Sequence, residues 1–342
     1  MHRAAIALLL AGCFGAGEAD TPVLRIVGEP IEVADVLHRN EAAIDDDSLG
    51  LYRVRDLLLL GDTVVLIDGN DRVLFLSSDL RVVRTFGRKG SGPGELNAPL
   101  SIRRWGDRLV VADAGNRRLT FFDRNGNAER TVAMPGIVPG RSFGIAADGT
   151  LYFSQPTEDH YLVRVRDDGE PEPFARRPAR REDLPRLRTR PGLPDFVTVW
   201  DYVAVTPDGR VHVLDNLTGM LLRYSSEGEL EAARMVLTKE HIEEHRHRTQ
   251  AIRAGSGRSV GFSPLFNGMR ANETTGELIV VLPFHDASGL VIDPTTYQAR
   301  AIAKPPQAAP YRALRGAQAV ALLEDRLIAA HSDGVVVYAL KR

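Results

Sequence analysis

Six copies of one short unit recur between residues 61 and 331: an acidic or glycine-containing turn, then four to six strand-forming residues. They are spaced at roughly the length of a four-stranded sheet. The last copy is one strand short, while a strand-like fragment is left over near the N-terminus. These three observations predict an all-β chain folded as a ring of six four-stranded sheets, with the last completed by an N-terminal strand. That architecture is a six-bladed β-propeller.

The first segment reads as an export signal. His2 and Arg3 form a basic start, Ala4 to Leu10 is wholly apolar, and Leu10-Ala11-Gly12-Cys13 follows. An apolar stretch ending in small residues is a secretory pattern, and cleavage after Ala19 is the plain version of it. Leu-Ala-Gly-Cys also resembles the lipobox of bacterial lipoproteins. The resemblance implies lipidation of Cys13, the one cysteine in the chain, and an envelope location anchored through two or more acyl chains. Phe14 after that cysteine agrees, by the same analogy, with sorting to the outer membrane. The expected division is a signal at 1–12, a tether at 13–21 and the propeller at 22–342. Without other cysteines the mature chain has no disulfide, so packing must stabilise it.

Between Pro22 and Val36 lie two apolar fragments, Val23 to Val27 and Ile31 to Val33, either of which suits a short strand. The units then begin: GDTVVLID (61–68), GDRLVVAD (106–113), DGTLYFS (148–154), DGRVHVLD (208–215), TGELIVVL (275–282) and EDRLIAAH (324–331). Glycine or aspartate in each turn supplies the backbone freedom a tight hairpin needs. The leading apolar residues Val64, Leu109, Leu151, Val211, Leu278 and Leu327 are 45, 42, 60, 67 and 49 residues apart. Strand-like sequence flanks each unit, with one strand before and two after in the first, second and fourth. No amphipathic helix occupies a matching interval in every copy, so strand-plus-helix repeats are excluded. After the last unit a single strand, Val335 to Leu340, precedes the end of the sequence. Val23 to Val27 is expected to supply the missing outer strand, which removes an unpaired edge.

The stretch from Phe86 to Gly126 resembles an NHL repeat. Gly87, Gly90, Gly92, Pro93, Gly94 and Pro99 match in the loop; Val110 to Asp113, Gly115, Asn116, Arg118, Phe122, Asp123 and Gly126 match in the strands and turns. Asp68-Gly69-Asn70 and Asp215-Asn216 are partial echoes. The chain is similar in architecture to six-bladed propeller lipoproteins of bacterial envelopes. Asp113 is expected to cap its own turn, and Asn116 to accept a left-handed conformation there. The glycines read as a crossover between blades. The loop lacks the helix and the Gly-Lys-Ser/Thr ending of a phosphate cradle.

The two long intervals carry insertions, near 175–195 and 237–260. The first is dense in arginine and proline, and Arg186, Arg188 and Arg190 could hold an anion through forked hydrogen bonds. The second has good helix formers and a cap at Thr238. It sets His241 and His245 four residues apart on one helical face, a spacing open to a metal-ligand pair, while i to i+4 charge pairing on a solvated helix explains the same residues. Both insertions lie where an outer strand crosses to the next inner strand, so both should cover one face on either side of the fourth blade. Trp200, Asp201 and Tyr202 open that blade's inner strand and are the candidate ligand contacts.

The formal charge of -2, with 26% charged residues, excludes a global field for nucleic acid. No nucleophile motif is present. The function expected is a binding or scaffold module for a protein or small-molecule partner, touching the membrane through its lipid only and requiring no cofactor. The alternative is a metal-dependent hydrolase or lyase of the same fold. Lactonase and strictosidine-synthase-like propellers, which that reading resembles, place carboxylates and amides around an axial metal. Here the inner strands offer Arg53, Arg55, Asp56, Asp201 and Asn267.

Overall fold

The computed structural model describes residues 22–41, 51–134, 142–155, 159–166, 170–178, 201–216, 218–238, 242, 265–282, 287–303, 319–323, 325–331 and 334–341. Two N-terminal strands, β1 (Arg25–Ile26) and β2 (Val33–Glu41), precede the blades. Blade 1 holds β3 (Asp56–Leu60), β4 (Thr63–Ile67), β5 (Val73–Leu76) and β6 (Val82–Phe86). Blade 2 holds β7 (Pro99–Trp105), β8 (Arg108–Asp113), β9 (Arg118–Phe122) and β10 (Ala128–Ala133). Blade 3 holds β11 (Phe143–Ile145), β12 (Leu151–Ser154), β13 (His160–Val165) and β14 (Glu172–Arg176). Blade 4 holds β15 (Tyr202–Val205), β16 (Val211–Leu214), β17 (Met220–Tyr224) and β18 (Leu230–Met235). Blade 5 holds β19 (Gly268–Ala271), β20 (Leu278–Val281), β21 (Ala287–Ile292) and β22 (Gln298–Ala303). Blade 6 holds β23 (Ala319–Leu322), β24 (Arg326–His331) and β25 (Gly334–Leu340). Each blade is an antiparallel meander from the axis outwards, so the six-bladed ring predicted from the repeats is the fold.

The six recurring units are the second strands, β4, β8, β12, β16, β20 and β24. They read as apolar runs rather than strict alternation because both faces are covered. β16 and β20 are buried along their whole length, whereas the outer strand β6 is largely exposed. A strand lying between two neighbouring blades has no solvent side. Hydrophobic clusters shared by adjacent blades run around the ring. Leu58, Ile67 and Phe75 of blade 1 meet Ile102, Val111 and Phe122 of blade 2. Leu57, Val64 and Leu66 of blade 1 meet Ile328, Val335 and Val337 of blade 6, which closes the circle.

An N-terminal strand does complete the last blade, but it is not the expected fragment. β2 pairs antiparallel with β25, through Arg39↔Val336 and Asn40↔Val335 among others. The fragment at 23–27 instead runs along the outer edges of the two preceding blades. Val23 bridges Met235, and β1 lies parallel to β22 as a fifth strand of that sheet. Both segments bury one apolar side chain, Val33 in the core between blades 5 and 6 and Leu24 in that between blades 4 and 5, so length makes the difference. The seven-residue β25 needs a long partner, which residues 33–41 supply.

The glycine-rich loop is the crossover from β6 to β7, as expected. Arg118 donates to the carbonyls of Ser91, Gly92 and Glu95 at 2.9, 3.1 and 2.8 Å, and Asn116 Nδ2 donates to Gly90 O at 2.8 Å. The loop thus offers carbonyls inwards to a cation, the opposite of a phosphate cradle. Asp113 differs from expectation in detail. Its carboxylate accepts from Asn97 N (2.7 Å), Asn116 Nδ2 (2.8 Å) and Arg118 Nε (2.9 Å), tying its turn to the crossover rather than capping itself. The left-handed residue of that turn is Arg117, not Asn116. Self-capping occurs in the partial copies, where Asp68 accepts from Asn70 N at 3.0 Å and Asp215 from Thr218 N at 3.2 Å.

Candidate functional site

Each inner strand begins on the face where blades cross over and ends at a hairpin on the opposite face. Asp56 starts β3, Arg103 lies within β7 and Arg270 within β19, so blades 1, 2 and 5 bring them together at the axis. Asp56 Oδ2 accepts from Arg103 Nη1 at 3.1 Å and from the backbone N–H of Ile102 at 2.9 Å. Its Oδ1 accepts from Leu57 N at 3.0 Å and from Arg270 Nη2. One carboxylate therefore neutralises one of two guanidiniums and leaves a surplus positive charge. Arg103 also donates to Phe143 O at 2.8 Å and stacks over the Phe143 ring, 5.0 Å from its centroid. Burial and the neighbouring Arg270 lower its pKa to about 10, so it remains cationic at neutral pH.

At this level the axis is almost filled. A space of about 20 Å³ remains between Asp56, Arg103, Tyr202, Met269 and Arg270. Towards the hairpin face it opens into a hollow of about 780 Å³. Arg104, Arg270 and Glu273 give it a charged wall; Leu57, Leu59 and Leu322 give it an apolar one. Arg104 Nη1 lies 3.5 Å from Glu273 Oε2, and burial raises the Glu273 pKa above its ordinary value despite three nearby arginines. The arrangement can hold an organic anion, its charge near Arg270 and its body against leucine side chains.

The axial donor set does not suit a metal. Asp56 is the carboxylate at the constriction, and both its oxygens are already taken by guanidiniums and backbone N–H groups. Among the described residues there is no cluster of three or more metal-ligating side chains.

Of the residues singled out in the sequence, Asp201 is 2% exposed and built into the fold. It lies 3.5 Å from Arg177 and accepts from Asn216 N at 3.2 Å. Arg177, at the root of the arginine-rich insertion, stacks 3.9 Å from the centroid of Tyr161, whose hydroxyl donates to Asp215 at 2.9 Å. This network binds blade 3 to blade 4. Tyr202 faces the axial constriction and donates to Phe266 O at 3.5 Å. Cys13, Arg186, Arg188, Arg190, Trp200, His241 and His245 lie outside the described residues. Around them, Ile242 N donates to Thr238 O at 3.1 Å, one helical bond at the expected cap. The ends of both insertions leave from the crossover face, whereas the hollow opens on the hairpin face. Asp56 stood out in the sequence, whereas Arg103, Arg104, Arg270 and Glu273 did not. Their signal is charge placed inside an inner strand or its hairpin, in SIRRW and GMRANE.

No family model matches the chain. A 67-residue stretch, 18% of this chain, is 34% identical to the human NHL repeat-containing protein 3 and covers 19% of that protein, so the match spans less than a fifth of its length. Virginiamycin B lyase from Staphylococcus aureus superposes with a TM-score of 0.54 at 9% identity, over 89% of this chain and 99% of the lyase. A gluconolactonase from Xanthomonas campestris gives 0.53 at 15% identity, over 92% of this chain and 99% of that enzyme. At such identities the likeness is one of fold, and propellers of this fold serve diverse chemistries.

Proposed function

We propose that this chain is a small-ligand-binding propeller, held in a bacterial envelope through lipid on Cys13, that takes an organic anion in the axial hollow of its hairpin face. The observation that carries the reading is the single carboxylate of Asp56 set between two guanidiniums, with Arg270 also lining the hollow. A buried cation with an unneutralised charge needs an anion or water to complete it. The leucines beside it favour a ligand with an apolar body over inorganic phosphate. The NHL-type turn at 113–118 belongs to the scaffold in this reading.

The test is calorimetric titration with 1-naphthoate, a monoanion with an apolar body, against the neutral 1-naphthalenemethanol. Naphthoate should bind at least about tenfold more tightly, the worth of one charge-assisted contact. Arg270→Gln should remove that preference. Equal binding of the two compounds, or no binding of either, overturns the reading.

The alternative, a hydrolase or lyase working on such a ligand, draws support from the fold shared with a lyase and a gluconolactonase. Glu273, whose pKa burial raises beside Arg104, would be its acid. Turnover of a lactone panel that is lost in Glu273→Gln but retained with a chelator would favour this version.

A further inference from the structure

A second cavity, of about 390 Å³, adjoins the axial hollow at blade 1. Gly61 and Arg104 line both, and the second runs outwards in the cleft between blades 1 and 2. This outer cavity has Phe75 and Leu109 on its walls and Arg84, Arg108 and Arg124 around it. The arginines are not equivalent. Arg108 is paired with Glu129, Arg124 with Asp107, and Arg104 with Glu273. Arg84 has no carboxylate partner among the described residues. Its guanidinium carbon lies over the Phe75 ring, 3.7 Å from the centroid, which fixes the cation without neutralising it.

Two positive charges in excess of their carboxylates therefore face two adjoining cavities that share Gly61 and Arg104 as lining. One is at the axis, shared by Arg103 and Arg270; the other is at Arg84 on the outer strand of the first blade. Apolar side chains line both cavities: Leu57 and Leu59 the axial one, Leu60, Leu109 and Phe75 the outer one.

We propose that the ligand is an elongated organic dianion, with one acidic group at the axial arginines, an apolar middle past Gly61 and Arg104, and the second acidic group at Arg84. The proposal rests on the axial anion site and adds the second contact. Two linked contacts make the second one intramolecular, so affinity should depend sharply on the separation of the acids.

The experiment compares linear α,ω-dicarboxylates from succinate to sebacate with their methyl half-esters by calorimetry. One chain length should bind at least about tenfold more tightly than its half-ester, with shorter and longer acids weaker. Arg84→Gln, which keeps the stem over Phe75, should bring that diacid to within about twofold of its half-ester and leave the half-ester unchanged. Arg84→Lys should restore part of the gain. A thermal melt of each variant checks that the fold is intact. Diacids and half-esters binding alike at every length, no diacid binding, or full affinity in Arg84→Gln overturns the proposal. Half-ester or naphthoate binding that still depends on Arg270 would then leave the axial site standing alone.

Discussion

Replacing Asp56 separates what the axial cluster does for stability from what it does for binding. The side chains of Arg103 and Arg270 are only 15% and 17% exposed, and Asp56 is the carboxylate they share. Asp56→Ala leaves two crowded guanidiniums and the N–H groups of Ile102 and Leu57 without their acceptor. Removing one member of a buried charge cluster costs about 3–5 kcal/mol. An unfolding entropy of about 2.1 cal/mol/K per residue over roughly 300 residues makes this a fall in Tm of about 5–8 °C. Asp56→Asn keeps an acceptor oxygen but no charge, so its fall should be smaller. Its effect on binding has the opposite sign, because the axis then carries two unneutralised cations. Affinity for 1-naphthoate should rise about threefold to tenfold, the order expected for one screened charge at short range. Differential scanning fluorimetry and calorimetry read the two effects on the same protein. An unchanged Tm in Asp56→Ala would show that the carboxylate does not hold the cluster together, and weaker naphthoate binding in Asp56→Asn that the axial charge does not attract the anion.

Two further predictions concern the scaffold. His212 is enclosed in blade 4, and burial together with Arg223 lowers its pKa from 6.5 to about 4. The unfolded chain then binds the proton more readily, so stability is intact above pH 6.5 and falls as pH drops towards 4, by about 2–3 kcal/mol at pH 4.5. His212→Gln should lose that much less stability between pH 7 and 4.5 in urea titrations, and an identical acid loss would contradict the assignment. Gly126 has φ +84°, and an added Cβ would lie 2.5 Å from the Phe86 ring. Gly126→Ala should therefore destabilise by about 1–3 kcal/mol, whereas Gly209→Ala, with φ +80° and open space around it, should cost less; equal costs would show that the Phe86 contact does not matter.

The fold was legible because the repeat is written in its most constrained strand. VVLI, LVVA and LIVV must be apolar on both sides, and their hairpin turns need glycine or aspartate, so the six units stand out despite unequal spacing. The closing strand was harder to read. Val23 to Val27 looks more apolar than Val33 to Glu41, yet edge position and length, not hydropathy, decide which segment pairs with β25. Asp113 shows a similar limit: an Asp-x-x-Asn turn was visible, but its main partners, Asn97 and Arg118, depend on how the crossover folds back. The axial site was least visible. Asp56, Arg103 and Arg270 come from three blades and meet only once the ring is closed with a definite register. Each alone resembles a solvated charge in a short strand, and the paired arginines of SIRRW point into different environments for a reason that lies in the neighbouring blades.

Anion binding at the axis is tested most directly by a crystal structure grown with saturating 1-naphthoate. The carboxylate is expected within hydrogen-bonding distance of Arg270 and the ring system against Leu57 and Leu322, on the hairpin face. Naphthoate bound instead on the crossover face beside the insertions, or an axial hollow holding only water at saturation, would contradict axial binding.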